Sequence, residues 1–456
     1  MNSRAFIALL LACSFAPLHA SAIGTSPAPN VNDPKIAQLV LPNGLQVLLK
    51  GSLRGALYSE VLLVVRAGLI ASEPDEEIAG VSAEALTAGR RSPSDPPIRL
   101  ELARLGVTID STVGREVAVF RFAVPTTNTS AFLRLLGLLI SRETIPVEQW
   151  AAAIDRYRRA EAYGQSDIWL RSNDQLRDLI WTTEADHPRL TQPISTRAAD
   201  RKLLNDFWQR AYAPENMVLS VWGDVEPGEL MQSIREGFGV RTRGLGSHGS
   251  SQPPEPELKS VGSTRCEQTD GASPAALLVG AGAVVGSDEA FYASQIAVHI
   301  LGASYNSRLQ RRLREQAEVV YTMEAAAIPI SATGTILRIA CQTDQVEAIR
   351  RIILGELRRL VEEPVESEEL DYARAILRSR LKLDAGSVRE QFYRESLQIL
   401  LHRPMPDPEK AEPIIASFTP LTLLRALQAT IRSDTVSTLV ISAQPEPVCE
   451  VTHETR

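Results

Sequence analysis

Val61-Leu62-Leu63-Val64-Val65-Arg66-Ala67-Gly68 is an apolar, largely β-branched run closed by a small-residue pair, and Asp75-Glu76 then leads into a helix-like stretch that ends near Gly89. The same succession returns as Ala275-Ala276-Leu277-Leu278-Val279-Gly280-Ala281-Gly282, followed by Asp288-Glu289 and a helix-like stretch that ends near Gly302. Strand, Ala-Gly, acidic turn, helix, glycine: order and spacing repeat, which predicts an internal duplication of about 200 residues. Each copy also closes alike, with a helix-rich region feeding an apolar strand, Met217 to Val221 in one and Val436 to Ser442 in the other.

Between the copies the chain runs through Arg241-Thr242-Arg243-Gly244-Leu245-Gly246-Ser247-His248-Gly249-Ser250-Ser251-Gln252-Pro253-Pro254-Glu255-Pro256, poor in apolar residues and rich in Gly, Ser and Pro. That is the composition of a linker. The predicted division is therefore a first domain over 35–239, a linker over 240–262 and a second domain over 263–451. Within each half the hairpin signals come early and the helical periodicity later. Leu41-Pro42-Asn43-Gly44-Leu45 carries an Asn-Gly turn between apolar runs, and Val107 to Val113 pivots on Gly114 into Val117 to Val124. Runs from Ser130, Val147 and Thr196 have helical spacing. Hairpins beside helices, without repeated strand–helix–strand alternation, predict an α+β class: two homologous domains, each a mostly antiparallel sheet packed with helices, arranged as a clamshell.

Composition agrees and excludes other classes. With 44% hydrophobic and 23% charged residues over 456 positions, the chain is neither disordered nor a coiled coil, and it is long enough for more than one core. A net charge of −7 provides no general attraction to nucleic acid or anionic lipid. Residues 1–22 read as a secretory signal: Arg4, an apolar run from Ala5 to Ala12, and the small-residue pattern Ala20-Ser21-Ala22. Leu10-Leu11-Ala12-Cys13 is similar to a bacterial lipobox, so a lipid anchor at Cys13 is the alternative fate of the same segment. No other stretch has the roughly 20 apolar residues of a membrane helix. The expected location is periplasmic or secreted. Beyond the signal the cysteines are Cys266, Cys341 and Cys449, too few for a disulfide framework. An exporting compartment permits a Cys266–Cys449 bond, and the sequence leaves that pairing open.

The chemistry is defined largely by what is missing. His187, His248, His299, His402 and His453 are widely scattered, without the close pair that places two imidazoles on one helical face to hold zinc. His187, His248 and His453 read as surface residues and His299 as a packed one. No GxSxG elbow, P-loop or dinucleotide fingerprint is present. The charges between Trp150 and Asp167, among them Asp155 and Glu161, read as a solvated helix face. One segment stands apart: Ser304 to Glu315 is a small-residue loop entering a basic helix, and Tyr321 follows at a strand start, so the Arg314 guanidinium and the Tyr321 phenol can both donate to one carbonyl or carboxylate.

Taken together these motifs resemble the insulinase/pitrilysin family of inverzincin metallopeptidases. The resemblance rests on Leu41 to Val47, on His187-Pro188, and on Ala211-Tyr212-Ala213-Pro214-Glu215-Asn216-Met217-Val218-Leu219-Ser220-Val221-Trp222-Gly223-Asp224, which is similar to the family's Y-x-P-x-N-M-x-L-x-x-x-G-D signature. It implies a two-domain α+β fold. Where the family carries G-x-x-H-x-x-E-H, this chain has Gly80-Val81-Ser82-Ala83-Glu84-Ala85-Leu86-Thr87. By this resemblance Ala83, Leu86 and Thr87 stand at the two zinc histidines and the general-base glutamate, and Glu161 falls roughly at the third ligand; shifting the register so that Glu84 is the glutamate puts Val81 and Ala85 at the histidines, and either way no imidazole remains. One carboxylate does not hold a zinc, and without metal there is no activated water.

Arg314 and Tyr321, by contrast, match the family's Arg/Tyr pair, which the resemblance implies hydrogen-bonds the substrate backbone across the chamber from the zinc. The usual glycine before the tyrosine segment is Glu318 here. The expectation is a non-catalytic subunit of an exported heteromeric zinc metallopeptidase. It would bear no cofactor itself; an HxxEH-bearing homologue would hold the zinc and cleave peptides. The alternative is a catalytically inert scaffold or peptide-binding protein of the same fold.

Overall fold

A computed structural model describes residues 36–50, 55–72, 77–164, 168–182, 200–224, 226–241, 257–268, 274–315, 320, 322–331, 333–402 and 408–443. In chain order the first half comprises β1 (Ala37–Val40), β2 (Gln46–Lys50), β3 (Tyr58–Val65), α1 (Glu77–Ala85), α2 (Ile98–Arg104), β4 (Thr108–Val113), β5 (Ala118–Pro125), α3 (Thr129–Ile140), α4 (Val147–Gly164), α5 (Ile168–Ile180), α6 (Arg201–Ala211), β6 (Met217–Trp222) and α7 (Pro227–Phe238). The second half follows with β7 (Thr264–Gln268), β8 (Ala275–Val284), α8 (Asp288–Val298), β9 (Thr322–Pro329), β10 (Gly334–Thr343), α9 (Val346–Glu362), α10 (Ser367–Gly386), α11 (Val388–Leu401), α12 (Pro408–Ser417), α13 (Pro420–Thr430) and β11 (Ile431–Ser442). The signal segment and the stretch 242–256 of the predicted linker lie outside the described residues.

The two sheets share one topology. Their strand orders are β1-β2-β6-β3-β5-β4 and β7-β11-β8-β10-β9. In each, a single parallel pair, β2 with β6 and β7 with β11, sits among antiparallel ones. The first sheet's extra strand is the hairpin arm β1. Its Asn-Gly turn does two jobs: Gly44 takes φ +92°, a conformation favouring glycine, and the Asn43 amide donates to the Phe238 carbonyl at 2.7 Å, tying the hairpin to the end of α7. The two repeated Ala-Gly pairs are not in equivalent backbone. Ala67-Gly68 follows β3, whereas Ala281-Gly282 lies within the longer β8.

The central strands are apolar at consecutive positions because both faces of each sheet are covered. On one face of the first sheet Val61, Leu63, Phe120 and Leu219 pack against helices of the same half, with Phe132, Leu136, Trp208 and Tyr212 in that core. The other face, Leu48, Leu62, Val64, Val119 and Val218, is covered by Phe392, Leu397, Leu400 and Leu401 of α11, a helix of the second half. The second sheet is treated reciprocally. Ala276, Leu278, Ile336 and Leu439 receive Leu176, Leu179, Ile180 and Trp181 from α5 and the residue after it. The buried Arg338 of β10 also crosses the joint, donating to Asn173 of α5 while pairing with Glu324 of β9 at 2.7 Å. The halves are thus distinct in sequence and exchanged in packing.

Caps mark several helix starts. Asp200 accepts from the Lys202 amide at α6, and Ser287 from the Ala290 amide at α8. Thr196, the expected start of the helix in that region, lies outside the described residues. Cys266 in β7 is disulfide-bonded, Cys341 is a buried free thiol, and Cys449 falls outside the described residues. Among the described residues no helix is long and apolar enough to cross a membrane.

Candidate functional site

Helix α1 is short and buried along most of its length, so it offers few side chains for chemistry. Its close approach to α4 is set by Gly80: a Cβ there would meet the ring of Tyr157, nearest at Cε2 and 2.9 Å from Cδ2. Gly80→Ala is therefore expected to push α1 off α4 and cost about 1–3 kcal/mol; unfolding in urea measures it, and an unchanged midpoint would refute the packing argument.

Ala83 is 6% exposed, Leu86 1% and Thr87 4%. The first two offer no donor atom to a cation. The Thr87 hydroxyl is engaged, accepting from Arg156 Nη1 of α4 at 3.1 Å. The other nitrogen of that fork, Nη2, lies 2.5 Å from Glu84 Oε2, and both side chains are only about one-fifth exposed. Burial lowers the Arg156 pKa, with Glu84 opposing that shift and the cations of Arg99 and Arg159 adding to it. Below this pair Gln149 donates to the Ala85 carbonyl at 2.6 Å and accepts from Arg142 Nη1 at 2.6 Å. Burial, helped by Arg91, holds the Arg142 guanidinium down to about 10. Zinc needs several N, S or carboxylate donors, and two aliphatic side chains, one hydrogen-bonded hydroxyl and the single Glu84 carboxylate, already paired with a guanidinium, do not supply them. The side chain of Glu161, on the same α4, is outside the described residues.

The basic segment is π-helical over Gln310–Glu315, where the sequence reading expected an ordinary helix. Arg311 and Arg312 are half exposed, yet the segment is also held by largely buried carboxylates. Arg308 forks onto Glu369 of α10 at 2.8 and 2.7 Å, and Arg312 donates to Glu356 of α9 at 2.7 Å. Glu356 is 2% exposed, so the carboxylates grip the turn from beneath in surroundings of low polarity, where charge-assisted pairs are strong. Burial works against the Arg308 charge, yet Glu369 and Glu356 hold its pKa above the ordinary range.

Arg314 belongs to this π-helical turn; its side chain, all of Tyr321 and Glu318 lie outside the described residues. So do His187, His248 and His453. His299 is packed as expected: burial, with the Arg380 charge, drives its pKa down to about 4, and its Nδ1 sits 3.0 Å from Ser304 Oγ. The sequence reading missed Arg156, Glu356 and Glu369 because their partners lie tens of residues away, and a charged residue on a helix carries no sign of a distant mate. Among the described residues no group of three or more His, Cys, Asp or Glu is placed so that it could hold a metal ion.

Two mixed sheets of like strand order, each packed with helices, define an α+β fold that can be compared with known proteins. Residues 198–377 match the family described as Peptidase M16 inactive domain. The chain is similar to an uncharacterized zinc protease of Rickettsia bellii (strain RML369-C), at 22% identity over 328 residues, covering 70% of this chain and 77% of that one. Among solved structures it is similar to a peptidase M16 inactive domain from Pseudomonas fluorescens, with TM-score 0.72 and 16% identity over 90% of this chain and 98% of that one. It is similar also to the first half of the periplasmic protease PqqL from Escherichia coli, with TM-score 0.69 and 15% identity over 92% and 96%. Residues 198–377 thus carry an M16-type match, and the fold over most of the chain is that of M16 peptidase structures.

Proposed function

We propose that this chain is the non-catalytic subunit of an exported heteromeric zinc metallopeptidase, completing with Arg314 and Tyr321 the active site of an HxxEH-bearing partner that cleaves peptides. The observation that carries the reading is the state of α1 on an M16 fold: the motif helix persists and none of Ala83, Leu86 and Thr87 offers a ligand. Such a chain has no means of activating water itself. The turn bearing Arg314 is meanwhile anchored by two carboxylates, which suits a residue that must present a guanidinium at a fixed place. A guanidinium and a phenol donating to one peptide carbonyl bind the substrate backbone and favour the charge that develops on its oxygen during hydrolysis. The predicted signal segment, and the periplasmic location named for the neighbour PqqL, support an exported setting.

The test is reconstitution with an HxxEH-bearing homologue. Wild type is expected to raise peptide turnover above the homologue alone. Arg314→Ala and Tyr321→Phe should each lower the stimulated rate about tenfold to a hundredfold, the worth of a charge-assisted hydrogen bond. Equal rates for wild type and both variants would assign the chain to the scaffold reading instead.

A further inference from the structure

We propose that Arg156 is a resident cation standing in the place the family reserves for zinc, bridging Glu84 and Thr87 and so tying α1 to α4 in the metal's stead. The inference uses the alignment of α1 with the family's motif, and it does not depend on any partner subunit. A bound metal in this family would do two mechanical things here: place a positive charge beside the motif helix and fasten that helix to its neighbours. Arg156 does both. It comes from α4, and its planar fork spends Nη2 on the Glu84 carboxylate at 2.5 Å and Nη1 on the Thr87 hydroxyl at 3.1 Å, on the last turn of α1 and just beyond it.

A fork is what two acceptors at such a spacing require. Lysine, a single ammonium on a flexible stem, matches one of them well and the pair poorly. With both side chains about one-fifth exposed, removing the cation strands a shielded carboxylate, a greater loss than breaking a pair in open solvent. The motif has therefore been rebuilt around a different cation. Merely restoring the ligands would not restore the metal, because a second positive charge would have to enter beside the first, with the Arg99 and Arg159 cations already acting on the same spot.

The consequence is measurable on the full mature chain by two routes. In amide hydrogen exchange, Arg156→Ala should speed exchange over Glu77–Ala85 about tenfold, with α9 as an unaffected reference. Arg156→Lys should fall between the variant and wild type. Unchanged exchange over α1 in Arg156→Ala would overturn the assignment. In zinc uptake after dialysis, the ligand-restored variant A83H/L86E/T87H should bind no more metal than wild type, and addition of Arg156→Ala to it should allow about one equivalent. Equal uptake with and without Arg156→Ala would overturn the assignment as well. If the multiply substituted chains do not fold, the exchange result on the single variants decides. Failure of either measurement leaves the reconstitution result with the partner peptidase untouched, so the two readings fail separately.

Discussion

Phe392→Ala is expected to lower the free energy of unfolding by about 3–5 kcal/mol, the range for truncating a fully packed phenylalanine. The residue sits on α11, within the second half of the sequence, yet its ring is core to the first sheet: it is 2% exposed and clusters with Leu48, Leu62, Val64, Val119 and Val218. One edge of the ring borders a half-open pocket of about 280 Å³ that Glu60, Asp110, Arg121 and Arg389 also line, so the loss comes from the packed side of the ring. The polar contacts of the same helix are a weaker hold. Arg389 forks onto Glu60 at 2.9 and 2.8 Å, but the two side chains are 50% and 32% exposed, and such pairs are worth about 0–1 kcal/mol. Arg389→Ala therefore serves as the control of small effect. Urea unfolding followed by tryptophan fluorescence distinguishes them, and near-equal shifts for the two variants would mean that α11 is held by charge and not by burial.

This exchanged packing marks the limit of what the sequence discloses. Val61 to Val65 and Ala275 to Val279 are apolar at every position, which announces strands covered on both faces, and the hairpin at Asn43-Gly44 announces its own turn. Neither statement says what does the covering. Leu176, Leu179 and Ile180 on α5, and Phe392, Leu397 and Leu400 on α11, show only that each helix has an apolar side. That the first serves the second sheet and the second serves the first is a tertiary fact with no local trace.

At the site the division is similar. Ala83, Leu86 and Thr87 were singled out by the motif spacing that the resemblance supplies, and the structure adds their burial. Arg156 was not: on α4 it is one arginine among several, and a solvated face and a shielded bridge have the same composition. Glu356 and Glu369 were hidden for the same reason, each being an ordinary helical glutamate until the fold brings Arg312 and Arg308 to it.

Glycine substitutions give a prediction of comparable size whose sign depends entirely on surroundings. Gly137 of α3 faces Gly237 of α7, and the backbones meet without side chains between them. A Cβ on Gly137 would lie 2.5 Å from Gly237 Cα and 2.6 Å from its carbonyl oxygen; one on Gly237 would lie 2.8 Å from the Leu133 carbonyl oxygen. Backbone does not swing aside as a side-chain tip does. The same crossing carries the Ser141 hydroxyl on the Gly237 carbonyl at 3.2 Å and Arg134 on Glu236 at 2.6 Å, so separating the helices also breaks those bonds. Helix propensity alone would make Gly137→Ala favourable by up to about 1 kcal/mol; the clash reverses it, and Gly137→Val is expected to cost about 3 kcal/mol or more. Gly355, within α9, has open space where its Cβ would be. There the same kind of change, Gly355→Ala, should stabilise by about 0.5–1 kcal/mol through propensity and a less free unfolded chain. Thermal and urea unfolding of Gly137→Ala and Gly355→Ala should thus move in opposite directions; movement in the same direction would show that the α3–α7 crossing yields easily and does not fix the spacing of the helices beneath the first sheet.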